Sequence, residues 1–267
     1  MLAAHTHRAV RYGPFPAQEG DLLLPSASRP SVVCLLHGGF WRMPHGRDQL
    51  DAVAADLAAR GYAVWNIGYR RLGAPGGGWP GTFEDVIVAV DHLASLVDAG
   101  VPLDLDRVVV AGHSAGGQLA LRVAARSGGA GVLSPRRVRP LAVAGLAPMS
   151  DLKEAAARGS GNGAAQEFLG GSPDAVPERY AAASPREWLP LGVPQLVLHG
   201  TLDEALPVGL SRDYAVAARA SGDEVELVEL PGAGHMDFVD PTTAAHAELC
   251  RWLARVTGKA AVQARPA

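Results

Sequence analysis

The sequence predicts an α/β fold in which a mostly parallel, eight-stranded sheet is flanked by helices. Three observations carry that expectation. Short apolar runs alternate with longer helical patterns along the chain. Two glycine-containing motifs stand directly after such runs, where the carboxyl ends of strands belong. A length of 267 residues also suits one α/β domain, 1–267, with a sizeable core.

The elements follow in order. Arg8 to Tyr12 and Asp21 to Leu24 are expected as an antiparallel edge ahead of the parallel part. The later strands are expected at Val32 to Leu36, Ala63 to Ile67, Val108 to Val110, Leu141 to Leu146, Gln195 to Leu198 and Val225 to Leu230. Helical patterns run from about Asp48 to Arg60, Thr82 to Ala99, Ala115 to Arg126, Val208 to Ala220 and Pro241 to Val256. Gly61 and Gly100 stand where C-terminal caps are expected, and Thr82 with Asp85 resembles a capping box. The alternation stops at about residues 150–190, which turn rich in Ala, Gly, Ser and Pro, with short helical pieces near Ala164 to Leu169 and Pro177 to Ala183. So long a connection reads as a small lid insertion or as a surface excursion. Gly258 to Ala267 reads as a frayed tail.

Composition excludes several classes of function. Hydrophobic residues make up 48% and charged residues 19%, as in an ordinary globular protein. A net charge of −3 supplies no basic field for a polyanion, so no nucleic-acid partner is expected. No apolar run reaches the length of a membrane span, so no membrane partner is expected either. Met1 to Tyr12 carries His5, His7, Arg8 and Arg11 without an apolar core, which is unlike a signal peptide, so a cytoplasmic location is expected. The two cysteines, Cys34 and Cys250, lack the spacing of a metal site or redox pair and read as free thiols.

Chemistry concentrates in four stretches. Gly112-His113-Ser114-Ala115-Gly116 lies between Val108-Val109-Val110 and a helical pattern. With 32 glycines in the chain a Gly-x-Ser-x-Gly match means little alone, but strand, turn and helix supply the context of a nucleophile elbow. Small neighbours let the backbone crowd, and the helix start aims its positive dipole end at the reacting centre. A serine hydroxyl needs a base, and the base needs a partner that fixes its tautomer. Asp203 follows the run ending at Leu198 and His235 follows the run ending at Leu230, giving the chain order Ser, Asp, His. Glu204, Asp237 and Asp240 compete for the acid role; Asp203 is preferred because the orienting carboxylate belongs on the strand before the histidine. His37-Gly38-Gly39-Phe40-Trp41 can offer the amides of Gly38, Gly39 and Phe40 to an oxyanion, joined by Ala115. His37, His113, His199 and His235 could instead gather around zinc, but no His-Glu-x-x-His pair exists and each can serve by holding a loop. No metal and no cofactor are expected.

With elbow, oxyanion loop, acid and histidine in this order, the chain resembles the α/β-hydrolase fold from about Val32 to Trp252. Within it, His37-Gly38-Gly39-Phe40-Trp41 resembles the His-Gly-Gly-x-Trp signature of kynurenine formamidase (arylformamidase) and related carboxylesterases. It differs from the His-Gly-Gly-Gly of hormone-sensitive-lipase-like esterases, with Phe40 in place of the third glycine. The resemblance implies Ser114 as nucleophile, His235 as general acid and base, Asp203 as its partner, and Gly38 to Phe40 with Ala115 as oxyanion hole. The expected activity is cofactor-free hydrolysis of small or aromatic acyl esters through an acyl-enzyme. Formamide hydrolysis is the alternative, and a non-catalytic ligand-binding protein on the same fold is a further one. Trp41, Trp79, Phe168, Trp188 and Met236 are candidate walls of the substrate pocket, with a place in the core as the alternative for most of them. Monomer and homodimer both stay open.

Overall fold

A computed structural model describes residues 5–125 and 136–259. Eight strands form one sheet: β1 (His5–Arg11), β2 (Glu19–Pro25), β3 (Ser31–Leu36), β4 (Ala63–Ile67), β5 (Asp104–His113), β6 (Ala142–Leu146), β7 (Gln195–Gly200) and β8 (Val225–Leu230). Their spatial order is β1-β2-β4-β3-β5-β6-β7-β8. β1 pairs antiparallel with β2, and β2 antiparallel with β4; every later pairing is parallel. The antiparallel edge and the parallel body thus match the expectation.

The helices are α1 (Asp51–Ala59), α2 (Gly81–Asp98), α3 (Ala115–Ala124), α4 (Leu152–Ala157), α5 (Ser160–Leu169), α6 (Pro177–Ala183), α7 (Gly209–Ala220) and α8 (Ala244–Val256). Side chains alternate across a strand, so Val32, Cys34 and Leu36 of β3 join one core while Val33 and Leu35 join the other. The first core packs under α2, α3, α7 and the helices between β6 and β7, through residues such as Val86, Leu119, Phe168 and Tyr214. The second packs under α1 and α8, through Val53, Leu57, Leu249 and Trp252. Each fully buried Val or Leu contributes about 1.5–3 kcal/mol, which is why both faces of so apolar a sheet must be covered. Among the described residues no helix is long and apolar enough to cross a membrane.

Three local expectations change. Thr82 and Asp85 do not cap α2, whose start carries no side-chain cap. Both are buried and turned onto Arg70: Thr82 Oγ1 donates to the Arg70 carbonyl at 2.6 Å, and Asp85 takes the guanidinium at 2.6 Å. A buried ion pair outcompetes a cap because an unpaired charge inside is far costlier than an open helix end. The expected helix start at Asp48 is a short 3₁₀ turn, Arg47–Leu50, ahead of α1. The segment between β6 and β7 holds α4 as well as the two expected pieces; Asp151 caps it by accepting from the amides of Lys153 and Glu154. Phe168, Tyr180 and Trp188 from this segment are buried, so it is packed onto the sheet rather than loose. The expected helix end at Arg126 and the tail from residue 260 lie outside the described residues.

Candidate active site

Ser114 caps β5 and opens α3 at a left-handed φ of 57° with ψ −118°. Such a conformation costs a non-glycine residue about 1–3 kcal/mol and persists only where the surroundings impose it. Here they do. The Ser114 amide donates to the Leu146 carbonyl at 2.8 Å, and a Cβ on Gly112 would lie 2.0 Å from the Gly116 oxygen. A Cβ on Gly116 would lie 2.1 Å from the Leu36 oxygen. Strand and helix can therefore meet at this corner only with hydrogen at both positions.

Asp203 and His235 are brought together. His235 Nδ1 lies 2.7 Å from Asp203 Oδ2, and the carboxylate has no exposed surface. Burial works to raise the Asp203 carboxyl, but hydrogen bonds from His199, His235 and the Leu206 amide outweigh it and hold the group well below the usual carboxylate range. Its second oxygen accepts from the amides of Ala205 and Leu206 at 2.9 and 2.8 Å. The competing acids are engaged locally: Asp237 accepts the Gly234 amide, and Asp240 takes Thr242. With an ionised carboxylate on Nδ1, that nitrogen carries the proton, and Nε2 is left as a base.

His235 also reaches β5, the strand that ends beside Ser114. His113, beside Ser114, donates from Nε2 to the His235 carbonyl at 2.9 Å, and the two rings lie 4.7 Å apart. Burial, with His235 as a neighbour, pushes the His113 imidazole down to about 3, so this donor stays neutral. The Ser114 hydroxyl itself makes no hydrogen bond among the described residues. Contacts of this kind commonly tighten only once substrate is bound.

The loop after β3 lies on the elbow: a Cβ on Gly38 would sit 3.1 Å from Ser114 Cβ. Its amides are not equivalent. The Gly38 N–H donates to Gln49 Oε1 at 3.0 Å and is already spent. Those of Gly39, Phe40 and Ala115 meet no acceptor among the described residues. Gly39, Phe40 and Trp41 all have positive φ, at 100°, 53° and 57°. The three free donors are Gly39, Phe40 and Ala115, a narrower set than the four expected.

The pocket walls are corrected. Trp41, Phe168 and Trp188 are 0%, 1% and 4% exposed and so present almost no surface to a ligand. Trp41 stacks on Phe168 at 4.3 Å and donates from its indole nitrogen to Gln118 Oε1 at 3.2 Å. Trp79 is half-buried, edge-on to Phe83 at 5.2 Å. Met236 is 53% exposed and, with Leu202 at 64%, leaves apolar surface beside His235 and Asp203. The aromatic set is thus mostly scaffold under the loop, the use to which large flat side chains are put when a strained turn must be held.

The remaining histidines hold loops. His37 bonds the Gly38 carbonyl at 2.8 Å and stacks on Tyr69 at 4.3 Å; His199 bonds the Leu206 carbonyl at 2.9 Å and the Ser211 hydroxyl at 2.7 Å. Gln49, Gln118 and Arg42 were not anticipated. Arg42 ties the loop to α5 through Glu167 and the carbonyls of Gly161 and Asn162. Gln118 had a signal, four residues after Ser114 and hence on the same helix face; Gln49 and Arg42 had none.

Comparison with known proteins agrees with this architecture. A truncated carbohydrate esterase from gut microbiota superposes with a TM-score of 0.80 at 19% identity, over 97% of this chain and 98% of that one. An esterase B from Lactobacillus rhamnosis, inhibited by a tributyrin phosphonate, gives 0.80 at 20% identity over 95% and 86%. A thermophilic esterase from the planctomycete Thermogutta terrifontis, with propionate bound, gives 0.76 at 22% over 97% of each chain. The fold is that of the α/β hydrolases. No curated protein matches the sequence. The family model described as BD-FAE matches residues 20–217, from β2 to within α7 and thus across the elbow, the oxyanion loop and Asp203. The chain belongs to the BD-FAE family.

Proposed function

We propose that the protein is a serine esterase acting on small or aromatic acyl esters. One observation supports the reading: a buried, ionised Asp203 fixes the tautomer of His235 at 2.7 Å, and His235 is tied by its own carbonyl to the residue beside a strained serine. Ser114 Oγ attacks the ester carbonyl while His235 Nε2 takes its proton. Negative charge on the former carbonyl oxygen is met by the amides of Gly39, Phe40 and Ala115, each worth about 3 kcal/mol when such a donor is lost. His235 returns the proton to the departing alcohol, leaving an acyl-enzyme. Water, activated by the same imidazole, then releases the acid.

Ester hydrolysis is favoured over formamide hydrolysis because the structural relatives above are esterases, one with propionate bound and one inhibited by a tributyrin phosphonate. The test is a panel of p-nitrophenyl acetate, butyrate, an aryl ester and N-formylkynurenine, run on native protein and on Ser114→Ala. Short esters are expected to turn over, with a loss of at least about 10³-fold in the variant, and a fluorophosphonate is expected to label the native chain alone. Turnover that survives Ser114→Ala overturns the nucleophile; deformylation far exceeding ester cleavage overturns the substrate class.

A further inference from the structure

Two buried imidazoles approach the Asp203–His235 pair from two strands of the sheet. His113, at the end of β5, holds the His235 backbone. His199, on β7 and without exposed surface, lies against the acid instead. Its Nε2 is 2.9 Å from the Leu206 carbonyl and 3.2 Å from Asp203 Oδ2, and its Nδ1 is 2.7 Å from the Ser211 hydroxyl of α7.

Those partners settle where the hydrogens are. A carbonyl and a carboxylate only accept, so Nε2 carries the hydrogen and shares it between Leu206 and Asp203. Nδ1 is then a lone pair, to which the Ser211 hydroxyl donates. Ser211 is fully buried as well, so bulk water competes for neither nitrogen. A chain of polar contacts thus runs from α7 through His199 to Asp203 and on to His235.

This chain does what the other contacts of Asp203 cannot. Its Oδ1 accepts from the amides of Ala205 and Leu206, two and three residues further along the same loop, so those donors move whenever the loop moves. His235 is the group to be oriented and cannot also be the anchor. Among the described donors to the carboxylate, only His199 stands on a strand. It grips the turn as well, because Leu206 gives its N–H to Asp203 and its carbonyl to His199. The hydrogen on Nε2 further offsets the burial of the carboxylate and favours its ionised form.

We infer that His199 is a positioning residue for the reaction proposed above: it fixes the Asp203 carboxylate to the sheet, so that His235 keeps its tautomer and orientation, and Ser211 serves it by fixing the His199 tautomer in turn. The inference rests on the Ser114, Asp203 and His235 reading. Its test compares native protein with His199→Phe, which keeps a flat ring but removes both nitrogens, and with His199→Gln, which returns an N–H near the place of Nε2. On p-nitrophenyl acetate kcat is expected to fall about 10- to 100-fold in His199→Phe, with KM changed by less than about twofold, and His199→Gln is expected to recover most of the loss. A second readout needs no turnover. The proton on His235 Nδ1 is expected to give a far-downfield NMR line in native protein, to broaden through solvent exchange in His199→Phe and to return in His199→Gln. Ser211→Ala, expected to lower kcat about threefold with KM unchanged and to broaden the same line, serves if His199→Phe fails to fold. An unchanged kcat, a rise in KM in place of the fall in kcat, a loss that His199→Gln does not repair, or a line that stays sharp in the variant overturns the inference. Failure of the esterase reading has a different signature: native protein leaves the ester intact, or Ser114→Ala keeps the activity, while the NMR line still reports whether His199 orders the Asp203–His235 pair.

Discussion

Asp203 shows how a side chain's role follows from its partners. Two amides and two imidazoles surround one carboxylate, which holds its carboxyl well below the usual carboxylate range. Asp203→Asn keeps the shape but can present an N–H to His235 Nδ1, which favours the wrong tautomer. The expected loss in kcat is about 10³–10⁴-fold with KM nearly unchanged, measured by steady-state kinetics on a short ester. Gln49 holds the Gly38 amide without touching the reacting atoms, so it is a positioning residue. Gln49→Ala frees that amide and loosens the loop; kcat is expected to fall about tenfold with KM unchanged, and Gln49→Glu, which keeps the acceptor, is expected to recover most of it. At this scale Ser114, Asp203 and His235 were legible because each follows a strand in a small-residue context. Gln49 was not, because an isolated polar residue carries no periodic signal.

Among elements, the elbow and the loop after β3 are both strained, and each is held by a different device. The elbow depends on absent side chains. Gly116→Ala would drive a methyl group to 2.1 Å from the Leu36 oxygen, so β3 and α3 must separate. A destabilisation of about 2–4 kcal/mol is expected in urea unfolding, with loss of activity in whatever folds. The loop depends instead on large side chains: Trp41 buried against Phe168 and Gln118, and Arg42 fastened to α5. This is why residues read as substrate walls turned out to be scaffold. A Trp or Phe beside a motif has the same appearance in sequence whether it faces a ligand or supports the backbone beneath it. The Thr82 and Asp85 reading failed for a related reason, since the capping pattern is local and the Arg70 partner lies 12 or more residues away.

At the level of the whole molecule, buried neutral histidines set a pH dependence of stability. His37 and His113 both sit near 3 when folded, pushed down from an ordinary 6.5 chiefly by burial. A depressed folded value means the unfolded chain binds the proton first. Their contribution is therefore fully present above about 6.5 and is lost progressively as pH falls toward 3. Asp56 adds to the acid end: burial works to raise it, but His246 and Arg60 outweigh burial and hold it at about 2, so its contribution is present above the ordinary carboxylate range and is lost as pH falls through about 2. Melting temperature is expected to fall steadily between pH 6.5 and 4, and His113→Gln is expected to flatten that slope. A slope unchanged in His113→Gln would show that this imidazole is not buried neutral in solution.

The sequence alone determined the layered α/β architecture and placed Ser114, Asp203 and His235, the proposed nucleophile, acid and base, after successive strands. Strand and helix periods, and the small residues at strand ends, are local properties that neighbours in the chain already express. Which oxyanion amides are free, which aromatics are scaffold, and that a buried imidazole stands against Asp203 were decided only in three dimensions. Each turns on whether a donor or a face already has a partner, and Gln49 and Phe168 reach the groups they meet, Gly38 and Trp41, from 11 and 127 residues away along the chain.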